Sequence, residues 1–176
     1  MGSRSGQQGA ERLILGIDPG SRAMGFGLVR AHGSRLTHVT AGVIRPRIME
    51  PFSYRLKELY AGIAGLIEEF SPQEAAVEQV FVAKNAKAAL KLGHARAAAL
   101  LAALNMGLNV FEYTPLEIKK AVVGYGQAEK DQVRQMVRLL LNLSKAPALD
   151  ASDALAAAIC HANTIGLRSH MSLGMG

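Results

Sequence analysis

The stretch Leu13-Ile14-Leu15-Gly16-Ile17-Asp18-Pro19-Gly20-Ser21 decides how this chain is read. It is an apolar, strand-forming run that ends on a single carboxylate, and Pro19-Gly20 turns the chain immediately afterwards. A strand that stops on an acid presents it beyond the edge of a sheet. Asp is also an ordinary turn residue, whose side chain bonds its own backbone two residues on. Asp18 therefore acquires chemical meaning only if the rest of the chain brings it partners.

Working outward, Met24–Arg30 and Leu36–Ile44 read as two more strands with a turn over 31–34 between them, which predicts an antiparallel meander. From Ser53 to Phe70 the apolar residues Leu56, Leu59, Tyr60, Ile63, Leu66 and Ile67 recur at helical spacing, and Ser71-Pro72 closes the pattern. Ala75–Val80 is a short strand that, like the first, meets an acid, Glu78. A long Ala-rich helix follows over Asn85–Asn105, then a fifth strand over Asn109–Tyr113. Thr114-Pro115-Leu116-Glu117 matches a capping box with Pro at the first helical position. Gly124–Gln127 breaks that helix, another spans Glu129–Leu141, and a last one runs from Asp150 to Ile165. The order predicts an α/β fold, a five-stranded mixed sheet flanked by helices. The expected organisation is a flexible extension over 1–11, a single domain over 12–166 and a frayed tail over 167–176.

With 176 residues, 49% hydrophobic and 19% charged, the chain has the balance of one domain with a full core. Its single cysteine, Cys160, excludes an intramolecular disulfide and a Cys-rich zinc site, which fits a reducing, cytoplasmic setting. No stretch resembles a membrane span: the most apolar helical run, near Ala97–Leu104, falls far short of the about 20 residues required. The histidines show no metal-ligand spacing, and His161, beside Cys160 on an apolar helix, reads as a packing residue. The formal charge of +6 is unevenly placed. Residues 84–138 carry 9 basic and 4 acidic side chains, whereas 1–83 carry 9 and 8 and 139–176 carry 2 and 2. A positive field concentrated in one segment suits a polyanion such as nucleic acid, although a merely soluble basic surface would look the same.

The last helix opens Asp150-Ala151-Ser152-Asp153, and residues three apart share a helix face. Asp150 as N-cap with Asp153 at the third helical position would be ordinary helix-start chemistry. Against that, the rest of the helix is nearly uncharged, so both acids border buried surface and require compensation. Asp18, Glu78, Asp150 and Asp153 are together the all-oxygen donor set that magnesium takes. Two such ions about 3.5–4 Å apart activate an attacking water and stabilise the leaving oxygen in phosphodiester cleavage.

Several blocks, in order, resemble one family: Gly16–Arg22, Val77–Phe81, Ala83–Ala86, Leu90–Gly93, Val122–Gly124, Ala128–Lys130 and Asp150–Leu155. They are similar to the RuvC-type Holliday junction resolvases across roughly residues 12–162. The resemblance implies a ribonuclease H-like fold and a homodimer on four-way junction DNA. It also implies magnesium-dependent nicking of two opposed strands, leaving 5′-phosphate and 3′-hydroxyl ends, with RuvA and RuvB as branch-migration partners. Manganese is an expected substitute for the two magnesium ions. Asp18, Glu78, Asp150 and Asp153 match the family's metal-binding acids, and Lys119 and Lys130 match basic residues near the scissile strand. Phe81, otherwise an ordinary core aromatic, becomes a candidate to stack on a base. Lys84, Lys87, Lys91, Arg96, Arg134 and Arg138 become candidates for backbone contact, where solvated helix-face residues would read alike. Departures are the N-terminal extension, the substitutions within Ala23-Met24-Gly25-Phe26 and a short tail. A nuclease of this fold with another nucleic-acid substrate and a silent junction binder stay open; an actin-like ATPase needs two lobes that 176 residues do not hold.

Overall fold

Strand periodicity sorts the first strand into two faces. In the computed structural model, which describes residues 10–79 and 84–173 with side chains placed up to Gly166, β1 (Arg12–Asp18) sends Leu13, Leu15 and Ile17 into one core and Ile14 into another. A strand buried on both faces needs a layer on each side. Helices α1 (Phe52–Phe70) and α2 (Ala86–Asn105) supply one layer, and α3 (Pro115–Val123), α4 (Lys130–Leu140) and α5 (Leu149–Leu173) supply the other.

The sheet contains β2 (Met24–His32), β3 (Arg35–Ile44), β4 (Glu74–Glu78) and β5 (Asn109–Tyr113) beside β1, in the order β3-β2-β1-β4-β5. The first three strands form the predicted antiparallel meander. β4 then pairs parallel with β1, and β5 parallel with β4. The five-stranded mixed sheet flanked by helices is therefore as expected. Between β1 and β4 the chain path switches from one side of the sheet to the other, and crevices beyond the carboxyl ends of strands at such a switch are where open α/β sheets place ligands. Asp18 and Glu78 are the terminal residues of those two strands.

Local chemistry fixes the helix starts. The Thr114 and Glu117 capping box is formed, with Pro115 inside the start and Gly124 at φ 95° past the end. The Asn85 side chain accepts the Ala88 N–H at 2.9 Å at the head of α2. The last helix departs from its expected bounds. α5 does not stop at Ile165 but continues to Leu173, because a lone Gly166 costs a helix only about 1 kcal/mol and no proline follows. Asp150 is not its N-cap: the helix begins at Leu149, and the Ser152 N–H already bonds the Ala148 carbonyl at 2.8 Å.

Candidate active site

The parity that buries β1 also aims its acid. Arg12, Ile14, Gly16 and Asp18 share the face turned to α5, as do Glu74, Ala76 and Glu78 on β4. The parallel register pairs Ile17 with Val77, so Asp18 and Glu78 stand side by side one step further on. α5 reaches them because the sheet beneath it is glycine. A Cβ at Gly16 would overlap the Ala154 carbonyl, one at Gly25 the Asp150 carbonyl, and one at Gly27 the Leu155 side chain. Gly25 is the β2 partner of Asp18. The backbone of Asp150 thus rests on the residue beside Asp18, and Asp153 follows one turn later.

Burial and like charge both disfavour an ionised carboxyl, and Asp18, Glu78 and Asp153 are all raised. Burial first, then the charges of Glu78, Asp153 and Asp150, pushes Asp18 up to about 8 from 3.8. A hydrogen bond joins the Asp18 and Glu78 carboxyls, which requires that the pair hold a proton between them. Glu78 is raised by burial and by Asp153, with Lys130 and Lys119 acting against the shift. Burial also raises Asp153, opposed first by Lys130, whose Nζ lies 3.4 Å from Asp153 Oδ2. Lys130 is raised chiefly by the charge of Asp153. Lys119 and Lys130 thus both face the acids, while exposed Lys120 turns to a groove with Glu117 and Cys160.

Among the described residues, no three His, Cys, Asp or Glu side chains are closed into a metal-binding cage. The donor set nevertheless suits a hard divalent cation, since magnesium takes one or two carboxylates and completes its shell with water and phosphate. A cation would also offset the charge that these acids otherwise bury against one another.

The remaining predicted residues are distributed differently. Phe81 lies outside the described residues. Lys84 and Lys87 are exposed at the head of α2, and Lys91 sits over the Phe52 ring, 5.7 Å from its centroid. Arg96 is engaged with Glu112 at 2.5 Å. Arg134 donates to the Pro147 carbonyl at 2.6 Å, tethering the segment that leads into α5, and Arg138 bonds Gln135 at 3.1 Å.

One structural residue went unread in the sequence and another was read only as packing. Arg55 of α1 is buried, donates to the Ser21 carbonyl at 2.6 Å and so holds the turn after Asp18. His161 is fully buried but is not mere packing: it bonds Tyr113 and Glu74. The Arg55 signal was an arginine on the apolar side of an amphipathic helix; for His161 there was none.

Residues 14–161 match the family described as crossover junction endodeoxyribonuclease RuvC. The relative of that name from Syntrophotalea carbinolica is 56% identical over 154 residues, covering 88% of this chain and 96% of its own. The one from Citrifermentans bemidjiense is 52% identical over 157 residues, covering 89% and 96%. The chain belongs to the RuvC family. A solved Thermus thermophilus RuvC in complex with Holliday junction substrate superposes with a TM-score of 0.84 at 32% identity, covering 90% of this chain and 97% of that one. The ribonuclease H-like architecture is thus shared along nearly the whole length of a RuvC protein.

Proposed function

We propose that this RuvC family member is a structure-selective endonuclease that resolves four-way DNA junctions by paired nicking. The observation that carries this reading is the convergence of Asp18, Glu78, Asp150 and Asp153 at one end of three elements, with Asp18 driven up to about 8 by burial first and then by the charges of its neighbours. Those four acids would hold the divalent ions, two of magnesium with manganese as a substitute. When bound, such ions supply an activated water and stabilise the leaving oxygen of an in-line displacement.

The chain's own residues orient and balance charge. Lys130 and Lys119 place ammonium groups beside the acids, where each offsets negative charge on an incoming phosphate. Lys84 and Lys87, exposed at the head of α2, extend the positive field toward the duplex arms. Phe81 stacks on a base near the opened crossover. Cleavage leaves 5′-phosphate and 3′-hydroxyl ends.

Resolution of a two-fold junction calls for two copies of one site. Leu90, Leu101 and Leu104 are exposed on one stripe of α2, with exposed Ala97 between them, which supports pairing with a second copy of this chain. Collaboration with RuvA and RuvB is the partnership the family implies. Among the described residues no helix is long and apolar enough to cross a membrane, and we place the protein in the cytoplasm.

A synthetic four-way junction and a linear duplex of the same sequence, each with and without magnesium, test the reading. Symmetric nicking of the junction alone is expected, and equal cleavage of both substrates would make the protein a general nuclease. Lys119→Ala or Lys130→Ala should slow nicking more than it weakens junction binding. Equal losses in both would reduce these lysines to phosphate anchors.

A further inference from the structure

The acids occupy one end of β1, β4 and α5, and the same three elements are joined again at their far end. There, Arg12 of β1 donates to Glu74 Oε1 of β4 at 2.5 Å, and Glu74 Oε2 lies 3.0 Å from His161 Nε2 of α5. His161 Nδ1 lies 2.6 Å from the Tyr113 hydroxyl of β5, and the Phe111 ring stacks on the imidazole at 4.3 Å. His161 and Glu74 are buried, and Tyr113 nearly so at 8% exposure. In the tautomer that carries its proton on Nε2, His161 donates to Glu74 and its Nδ1 accepts from the Tyr113 hydroxyl. Tyr113, His161 and Glu74 thus form one continuous chain of hydrogen bonds, with Arg12 on the outer oxygen of Glu74.

Tyr113 links this relay to the site. It is the register partner of Glu78 on the neighbouring strand, and its carbonyl accepts the N–H of Gln79 at 2.8 Å. The Gln79 side chain also bonds Glu112 of β5 at 3.2 Å. The residue that follows Glu78 is therefore attached to β5 twice, once through its backbone and once through its side chain. The other side chain of the pair, Tyr113, is fastened to α5, the helix that bears Asp150 and Asp153.

We infer that His161, Tyr113 and Glu74 are positioning residues that set the distance between Glu78 and the acids of α5. Resting on the proposed metal-dependent nuclease reading, this inference gives the buried histidine a role at a site it does not touch. Outer groups of this kind affect ligand geometry rather than chemistry, and their loss costs metal affinity or turnover about 10–100-fold.

Tyr113→Phe removes one hydroxyl and keeps the ring. In the full-length protein, nicking of a pre-bound synthetic junction should slow about tenfold, and Mn2+ binding to the DNA-free protein, read by electron paramagnetic resonance, should weaken by a similar factor. Junction affinity without divalent metal should stay unchanged. His161→Gln and the double variant should lose no more than the larger single loss, since members of one relay are not additive. Wild-type turnover and Mn2+ affinity in Tyr113→Phe overturn the inference, as do losses that add in the double variant and merely follow melting temperature. Should Tyr113→Phe not fold, His161→Gln read by the same two assays decides. If the unaltered protein fails to nick the junction, the nuclease reading falls; normal nicking with an indifferent Tyr113→Phe sinks only the positioning role.

Discussion

β1, β4 and α5 carry carboxylates at both ends, and the two ends treat them oppositely. At the Arg12 end, Glu74 is buried yet fully answered by a guanidinium and an imidazole. At the Asp18 end, the acids are answered mainly by one another, with Lys130 and Lys119 at their rim. The first arrangement is what a fold needs to bury charge; the second burdens the fold and leaves oxygens ready for a cation. The contrast teaches that burial of an acid says little about its purpose until its partners are known.

The sharpest way to break the comparison is to neutralise the burdened end. Asp18→Asn should lower nicking roughly a thousandfold, the several kcal/mol a hard cation contributes, while raising the melting temperature in magnesium-free buffer. A rate assay paired with a thermal melt reads both signs, and a fall in melting temperature would mean that the acids are not in conflict. Removing the answered acid should do the reverse: Glu74→Leu should cost about 3–5 kcal/mol in urea titrations by stranding its partners. Between the ends, Gly16→Ala should cost about 1–3 kcal/mol through overpacking against Ala154, and it should depress nicking more than junction binding by lifting α5.

A last effect is read as a slope against pH rather than at one pH. Asp18 is raised to about 8 in the folded protein from an ordinary 3.8, so the folded state holds that proton longer than the unfolded one. Its contribution to stability is full below about 3.8 and drains away as pH rises toward 8. Magnesium-free chemical denaturation at stepped pH should show the decline, and Asp18→Asn should flatten it. An unaltered slope in that variant would assign the decline to other groups.

Much of this architecture was legible because it is local. Strand periodicity fixed which face Asp18 takes, and the Thr114 and Glu117 pair announced α3 at a separation of three residues. The acids were legible as residue types at strand ends and on one helical turn. What the sequence hid is long-range. The partners of His161 lie 48 and 87 positions away, and no spacing rule links a helix histidine to two strands on a sheet. Gly16, Gly25 and Gly27 read as weak strand residues until a helix is known to lie on them. The cap alternative for Asp150 rested on residue type alone, and the helix begins one residue earlier, at Leu149.

Gly25 has a further consequence. The gap between Asp18 and the start of α5 is closed by main chain resting on main chain, so it contains no rotamer that could lengthen or shorten it. A side chain there would act as a shim, and a hydrogen atom is the only one thin enough. At this contact the spacing is therefore a hard stop, which a side chain at position 25 can only spoil, as one at position 16 would where Ala154 rests.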